Sequence, residues 1–288
     1  MRILVLGATG YIGSAIVDEL KNNDHDVIAL ARSSEAEEKL LAKNIEIVRG
    51  DIRSPHNWSH VVQNVDAIIH TAATFTDDMG DVDLTLVQEL ISACEKFSNR
   101  LRFIYTGGVW LYGETGSNIA TEDTAYNPIN AFAWMIQNAK IVQAASCFDA
   151  ITLHPSIVWD RDGGGLSRFI TSIKEKGRAE VWGSLETHWP MVHREDLASA
   201  YRLAVESNLS NDTFNLTTEE GVLVRDIIQK LDRRFDVSKD ALIIPADDVI
   251  TGQGDWAQGP MLDQRMSAQK FHDAFDWTVQ HRNVLSEI

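Results

Sequence analysis

The sequence predicts an α/β fold in which helices cover both faces of a doubly wound parallel sheet. Two observations carry this prediction. Short apolar, β-rich runs alternate with segments of helical spacing through the first half, and a glycine-rich turn follows the first run directly. This alternation is typical of βαβ units. With 288 residues, of which 44% are apolar, the chain can bury the core of one large domain or of two closely joined ones.

The first half contains six predicted strands, each a short β-rich run. They are Ile3–Leu6, Val27–Ala31, Ile45–Val48, Ala67–Ile69, Leu101–Tyr105 and Ala150–Leu153. Parallel strands that are buried on both faces read as unbroken apolar runs, as the first one does. Apolar residues at helical spacing predict helices over residues 12–20, 84–94 and 131–146.

After Pro155 the alternation is less regular. A loop is predicted at 160–165, a strand at 213–216, and helices at 166–176, 197–205, 223–235 and 267–275. We therefore predict a sheet domain over 1–155 and a smaller α/β cap that binds substrate over 156–288. A segment at about 190–206 is expected to return to the sheet domain.

The net charge is −16 and the pI is about 4.9. A charge this negative repels phosphate backbones and anionic lipids, so we expect no nucleic-acid partner and no membrane partner.

Cys94 and Cys147 are too few for a disulfide framework or a four-cysteine zinc site, and their helical setting predicts small buried side chains. His188 and His193 show no ligand spacing, which predicts no metal site. The N-terminus has no signal-peptide pattern, and no apolar run reaches membrane-spanning length, so we expect a cytoplasmic protein.

The turn after the first strand reads Gly7-Ala-Thr-Gly10-Tyr-Ile-Gly13. Gly7 permits a tight turn, Gly10 lets a pyrophosphate approach the backbone, and Gly13 allows the helix to pack closely on the strand. The N-terminus of the helix offers free N–H groups to phosphates. Because this turn joins a strand to an amphipathic helix, it predicts a dinucleotide-binding Rossmann domain.

The residue after the second strand bears on which dinucleotide is bound. An acidic residue there would accept hydrogen bonds from the adenosine ribose and favour NAD(H). Here Arg32 follows Ala31, and an arginine can pair with a 2′-phosphate. We predict NADP(H) as the preferred cofactor, with NAD(H) as the alternative.

The glycine spacing resembles that of the extended short-chain dehydrogenase/reductase superfamily, in its NAD-dependent epimerase/dehydratase group. Further segments match this group in order along the chain. They are Gly50-Asp51-Ile52 (its adenine-contacting motif), His70-Thr-Ala-Ala73 (its cofactor-lining His-x-Ala-Ala), Tyr105–Gly113 (its Ser-Ser-x-x-Val-Tyr-Gly segment), Leu153-His-Pro155 (its Leu-Arg-Pro beside the nicotinamide) and Val192–Ala198 (its Val-His-Val-Asp-Asp-Leu-Ala).

The resemblance implies a set of cofactor-binding residues. They are Gly7, Thr9, Gly10, Tyr11, Ile12, Gly13, Arg32, Asp51, Ile52, Thr71, Ala72, Ala73, Thr106 and Pro155. The glycine turn would hold the pyrophosphate, the pair at 51–52 the adenine, and the pair at 72–73 the ribose side. The resemblance also implies a homodimer through the two helices that flank the fifth strand.

The usual catalytic residues of the superfamily are absent. Its acid is the tyrosine of a Tyr-x-x-x-Lys helix, and none of the five tyrosines has a lysine four residues later. Counting from Gly113, Trp134 falls nearest the place of the tyrosine and Asn138 that of the lysine. Gly108 stands where the superfamily has a Ser or Thr hydroxyl. The chain therefore resembles atypical members that recruit other acids or have abandoned turnover.

Three residues are candidates to replace the missing acid: Thr106, Tyr126 and His154. His154 takes the place of an arginine near the expected nicotinamide, and its ordinary pKa suits proton transfer. Tyr112 is expected to pack rather than react. Five tryptophans fall in segments that the resemblance assigns to the substrate cleft, where they would form either an apolar pocket or ordinary core. They are Trp110, Trp134, Trp159, Trp182 and Trp189.

These observations predict an NADP(H)-dependent oxidoreductase of the atypical kind that acts on a small molecule. The loss of tyrosine, lysine and hydroxyl together favours an alternative, a regulatory protein that senses NADP(H) without turnover. A nucleotide-sugar epimerase or dehydratase is a weaker alternative, because that chemistry needs the same missing pair.

Overall fold

The computed structural model describes residues 1–96 and 100–288. These residues form two compact units. The first unit comprises residues 1–107, 134–153 and 197–214, and the second comprises 108–133, 154–196 and 215–288.

The strands are short, with eight residues in the longest. They are β1 (Arg2–Leu6), β2 (Asp26–Ala31), β3 (Glu46–Arg49), β4 (Ala67–His70), β5 (Leu101–Thr106), β6 (Phe148–Pro155), β7 (Ile157–Asp160), β8 (Gly163–Gly164), β9 (Glu180–Trp182), β10 (His188–His193), β11 (Asp212–Leu216), β12 (Glu219–Leu223) and β13 (Leu242–Ile244).

The helices are α1 (Tyr11–Asn22), α2 (Ser34–Leu41), α3 (Met79–Cys94), α4 (Trp134–Ala144), α5 (Ser167–Lys176), α6 (Arg194–Glu206), α7 (Val224–Arg234), α8 (Ala246–Gln253), α9 (Gln269–Ala274) and α10 (Val284–Glu287). Short 3₁₀ turns occur at Pro55–Asn57, Ser59–Asn64, Val109–Tyr112, Asn130–Phe132 and Asp255–Met261. Within the described residues, none of these helices combines the length and the apolar character that a membrane crossing requires.

The main sheet has seven strands in the order β11-β6-β5-β4-β1-β2-β3. Neighbouring strands pair in parallel from β3 to β6. The strand order reverses beside β1, as in a doubly wound sheet. Residues 3–6 of β1 are fully buried, because helices cover both faces. The predicted fold class and all six predicted strands are confirmed, whereas the sequence reading missed α2.

The second unit contains a four-stranded sheet, β12-β10-β7-β8, and a two-stranded one, β13-β9. Its core includes Trp159, Phe169 and Trp189, and the rings of the last two stack at 5.4 Å. α5 ends at Gly177, whose φ of +70° suits glycine. Most strands of this unit were not predicted, because runs of two to six residues carry little periodicity.

The two cysteines are buried and unpaired, as predicted. The Cys94 thiol donates a hydrogen bond to the backbone oxygen of Cys147 at 3.4 Å. Both side chains belong to the core of the first unit, and they fill space there as small apolar groups.

Candidate cofactor and catalytic site

Most of the predicted cofactor residues lie at one edge of the main sheet. Strands β3, β2, β1, β4 and β5 are adjacent and parallel, so their carboxyl ends meet at the same edge. The turns after these strands carry residues 7–13, Arg32, residues 51–52 and residues 71–73, and Thr106 ends β5. Pro155, the remaining residue of the predicted set, is the buried last residue of β6.

The glycine turn closes tightly on itself. Gly7 has a φ of +89°, and its carbonyl oxygen accepts the N–H of Gly10 at 2.9 Å. A Cβ on Gly13 would lie 2.1 Å from that same oxygen. A Cβ on Gly7 would lie 2.8 Å from the nitrogen of Ala72, in the turn after β4. These two glycines are therefore required by the local geometry itself.

The turn also presents the N-terminus of α1. Gly10 is the N-cap and provides no side chain to hydrogen-bond the first N–H groups of the helix. The positive end of the helix dipole lies at the same place. Thr9 and Gly10 are exposed, whereas Tyr11 and Ile12 are half-buried. A helix start without a capping side chain is the arrangement that accepts a phosphate.

Arg32 stands exposed directly after β2. It forms no ion pair with any residue in the ranges 1–96 and 100–288, although other arginines near this edge are paired. Arg49 binds Glu37, and Arg53 binds Asp78. The next residue, Ser33, caps α2 by accepting the N–H of Ala36 at 3.2 Å. The guanidinium of Arg32 is thus available to an external anion.

The turn after β3 is fixed by Trp58. Its indole Nε1 donates to the backbone oxygen of Asp51 at 2.9 Å, and a Cβ on Gly50 would lie 2.4 Å from the ring. The Asp51 carboxylate accepts the N–H of Arg53 at 2.9 Å. Ile52 is half-buried against the core. Together these contacts give the carboxylate and the neighbouring apolar side chain a defined position.

A buried carboxylate organises the region between β4, β5 and α4, and the sequence reading missed it. Asp83 binds His70 Nε2 at 2.7 Å, and it accepts the Tyr105 hydroxyl at 2.7 Å and Asn138 Nδ2 at 2.8 Å. Burial opposes ionisation of Asp83, but hydrogen bonds from His70, Tyr105 and Asn138 outweigh it and hold the pKa of Asp83 below its usual range. His70 Nδ1 is buried without a partner among the described residues. Asn138, at the expected place of the lysine, therefore hydrogen-bonds the Asp83 carboxylate.

Trp134, at the expected place of the tyrosine, and the candidate Thr106 both have structural contacts. Trp134 packs on Gly80, where a Cβ would come within 2.8 Å of the indole. Thr106 shares a hydrogen bond of 2.7 Å with the hydroxyl of Tyr201, which is fully buried. Burial raises the pKa of Tyr201, so its phenol stays protonated. Thr106 therefore has a structural partner for its hydroxyl.

In the second unit, Tyr126 and His154 form a direct hydrogen bond. The Tyr126 hydroxyl lies 2.9 Å from His154 Nε2, and the N–H of Gly108 donates to His154 Nδ1 at 3.2 Å. Because Nδ1 accepts a hydrogen bond from the Gly108 N–H, it carries a lone pair, and the proton of the neutral ring is therefore on Nε2. His154 thus donates a hydrogen bond to the phenol oxygen of Tyr126. The hydroxyl proton of Tyr126 is not used in this contact and points away from the imidazole.

Burial of this pair favours a neutral imidazole and a protonated phenol. Burial lowers the pKa of His154 to about 4. Burial also raises the pKa of Tyr126, the Glu122 carboxylate adds to this shift, and the Tyr112 hydroxyl opposes it. Tyr112 itself donates to Asn215 Oδ1 at 2.7 Å. The pair is therefore arranged to give a proton rather than to take one at neutral pH.

The five tryptophans have different surroundings. Trp159 and Trp189 are 0% and 3% exposed and belong to the core of the second unit, so the pocket interpretation is wrong for these two. Trp110 packs on Phe132 and Gly259, and Trp182 lies under the guanidinium of Arg168 at 3.9 Å. Trp134 belongs to the first unit.

Comparison with known proteins agrees with the resemblance seen in the sequence. The family model of the NAD dependent epimerase/dehydratase family matches residues 3–217. The chain is 25% identical over 242 residues to a decarboxylating sterol-4-alpha-carboxylate 3-dehydrogenase of Dictyostelium discoideum, covering 78% of this chain and 73% of that protein.

Two solved structures show the same fold over the whole chain. One is the UDP-glucose 4-epimerase of Thermus thermophilus in complex with NAD, with a TM-score of 0.80 and 19% identity over 100% of this chain and 97% of that one. The other is a human epimerase family protein with NADPH, with a TM-score of 0.80 and 17% identity over the same shares. The expected family is therefore confirmed, and the chain belongs to the NAD-dependent epimerase/dehydratase family.

Proposed function

We propose that this protein is an NADP(H)-dependent oxidoreductase that reduces a carbonyl group or a polarised enone of a small molecule. Tyr126 would supply the proton, with His154 as its positioning partner. The observation that carries this proposal is the pair of hydrogen bonds that fixes the imidazole between the Gly108 N–H and the Tyr126 hydroxyl.

The residues at the sheet edge fit a dinucleotide. Any side chain at Gly13 would collide with the turn, and α1 begins without a capping side chain. Both features suit a pyrophosphate held by backbone N–H groups. Two structures of the same fold were solved with NAD and with NADPH respectively. Arg32, exposed and without an ion-pair partner among the described residues, favours the 2′-phosphorylated form.

The chemistry of reduction needs a hydride and a proton. NADPH, when bound at the glycine turn, would supply the hydride for the electrophilic carbon of the substrate. The Tyr126 O–H gives its proton to the substrate oxygen, and the phenolate that remains accepts the N–H of His154 Nε2. Because Tyr126 is half-buried, water can return the proton afterwards. In the family this role belongs to a tyrosine paired with a lysine; here a neutral imidazole would take the place of the cation.

The expected neighbourhood of the nicotinamide supports this assignment. The segment Leu153-His-Pro155 corresponds to the Leu-Arg-Pro segment that lies beside the nicotinamide in the family. The raised pKa of Tyr126 keeps its hydroxyl protonated at neutral pH, as a proton donor must be. The homodimer through α3 and α4 remains a prediction from the resemblance.

The test is to mix tag-free protein with NADPH and a panel of enones, quinones and aldehydes, and to follow the reduced-nicotinamide absorbance. Steady oxidation with at least one compound is the expected result. Tight binding of NADPH without oxidation across the panel would instead support the nucleotide-sensing alternative. That alternative is favoured by Gly108 and Asn138, since neither supplies the hydroxyl or the cation of the usual pattern.

A further inference from the structure

Three side chains of metal-ligand type converge in the second unit from distant parts of the sequence. His193 is the last residue of β10, Glu195 lies in the first turn of α6, and His281 precedes α10. The two imidazole rings stack with their centroids 3.6 Å apart and an angle of 29° between their planes. Glu195 Oε2 lies 3.3 Å from His281 Nε2. One ligand atom from each residue lies within 4.8 Å of the others.

The surrounding contacts hold His281 and the segment that carries it in place. Glu287 Oε2 lies 2.6 Å from His281 Nδ1, so the other nitrogen of that ring faces Glu195. A carboxylate on the far nitrogen of a histidine is the usual support for a metal ligand. Asp196 accepts the backbone N–H groups of Gln280 and His281 at 2.8 and 2.9 Å, which fixes the segment that carries the second imidazole.

His193 also has a lone pair available. Its Nδ1 accepts a hydrogen bond from the N–H of Glu195 at 3.3 Å. This distance is long for a hydrogen bond, so a metal ion can replace the contact. The ring packs edge-on against Trp159 with centroids 4.8 Å apart and is itself buried, so it offers a rigid ligand. The Glu195 side chain is 74% exposed and can move toward a bound ion.

We propose that His193, Glu195 and His281 bind a divalent transition-metal ion of the Zn²⁺ type. Two imidazoles and one carboxylate suit zinc, nickel or cobalt, whereas Mg²⁺ and Ca²⁺ prefer oxygen ligands alone. In a tetrahedral site the ligand atoms are separated by roughly 3.4 Å. Glu195 and His281 are already this close, so the remaining separations would shorten by up to about 1.4 Å. The stacked rings would turn so that a nitrogen of each faces the ion. A water molecule would complete the shell.

The ion would fasten the end of the chain to β10. His281 and Glu287 belong to the last eight residues, where Val284 is fully buried and Leu285 and Ile288 pack on the core of the second unit. The bound metal would thus stabilise this end, since a ligand that binds only the folded state raises its stability. Sequence spacing could not reveal the site, because 86 residues separate Glu195 from His281.

The experiment uses tag-free, chelator-stripped protein titrated with ZnCl₂ and CoCl₂, with no nucleotide present. We expect one equivalent of metal to bind by calorimetry, a cobalt absorption band in the visible range, and a rise of a few degrees in Tm. His281→Asn and Glu195→Gln should each weaken binding at least tenfold. Glu287→Gln should weaken it by roughly 10- to 100-fold, as for other supporting carboxylates.

The control is His56→Asn, which removes an exposed histidine of the first unit and should leave binding unchanged. Because Glu195 is exposed, its variant stays informative even where His281→Asn destabilises the fold. The proposal is overturned if wild-type protein binds no metal below 1 mM (roughly the weakest affinity of a protein metal site). It is also overturned if Glu195→Gln binds zinc and cobalt as wild type does.

Discussion

The glycine turn of the first unit and the Tyr126–His154 pair of the second unit are specified in different ways. The turn is a backbone feature, in which seven consecutive residues set the conformation and Gly13 is required because no Cβ fits beside the Gly7 oxygen. The pair is a side-chain feature, in which the two residues stand 28 positions apart and depend on a backbone N–H 46 positions from the histidine. A local backbone constraint produces a pattern of consecutive residues that can be recognised in the sequence. A contact between distant side chains involves two residues that carry no such pattern.

The largest expected effect comes from adding one methyl group to the turn. Gly13→Ala places a Cβ 2.1 Å from the Gly7 oxygen, so the turn must open and its N–H groups lose their common direction. We expect no measurable binding of NADPH by calorimetry. Circular dichroism should show the variant still folded, since the sheet does not depend on the direction of these N–H groups.

Gly252→Ala is the matched control for this substitution. A Cβ at Gly252, in α8, meets nothing within 4 Å. It should bind NADPH as the wild type does. Equal nucleotide affinity in the two variants would show that the glycine turn does not hold the pyrophosphate. The turn would then not be a functional site.

The next largest effect should come from removing one hydroxyl of the pair. Tyr126→Phe keeps the ring and removes the proton donor, so kcat for carbonyl reduction should fall by roughly 100- to 10,000-fold, the usual contribution of a general acid. NADPH affinity should not change. Steady-state rates measured with a substrate found in the NADPH panel provide the test.

Tyr112→Phe is the control for this second change. Tyr112 is buried and its hydroxyl binds Asn215, so the variant should lose about 1 kcal/mol of stability and little of its rate. If both variants retain the full rate, Tyr126 is not the proton donor. A fall in both, with normal folding, would instead implicate the shared aromatic packing of the two rings, which lie 5.3 Å apart.

The same contrast explains how much could be predicted from the sequence. All six strands of the first half were predictable, because each contains a run of β-forming apolar residues, and all but the half-buried β3 are largely buried. Asp83 was not, because an acidic residue in an amphipathic helix gives no sign that His70, Tyr105 and Asn138 will close around it. Tyr126 and His154 were identified as separate candidates, but their hydrogen bond required the fold.

The titration of His154 offers a third test, through stability. Burial lowers its pKa to about 4 in the folded protein, whereas the unfolded value is about 6.5. Below pH 6.5 the unfolded state therefore binds a proton that the folded state does not. The free energy of unfolding should fall as the pH drops from 6.5 to 4, by about 3 kcal/mol at most from this group.

His154→Asn removes this group and should flatten that part of the pH profile in urea titrations. The variant is less stable near pH 7, where the neutral imidazole makes its two hydrogen bonds, and the difference from wild type narrows toward pH 4. A difference that stays constant over this range would mean that His154 titrates normally. The assignment of a neutral imidazole that donates its Nε2 proton to Tyr126 would then be contradicted.

The smallest effect concerns the choice of cofactor. Arg32 is exposed, so its interaction with a 2′-phosphate is partly screened by water, and Arg32→Ala should raise the Kd for NADPH roughly tenfold. The Kd for NADH should stay the same, because that cofactor has no phosphate there.

Lys39→Ala is the control, since it removes the same charge from α2, where Lys39 already binds Glu35. If both variants weaken NADPH equally, the general positive potential matters rather than a contact at residue 32, and the cofactor preference is not encoded at the end of β2.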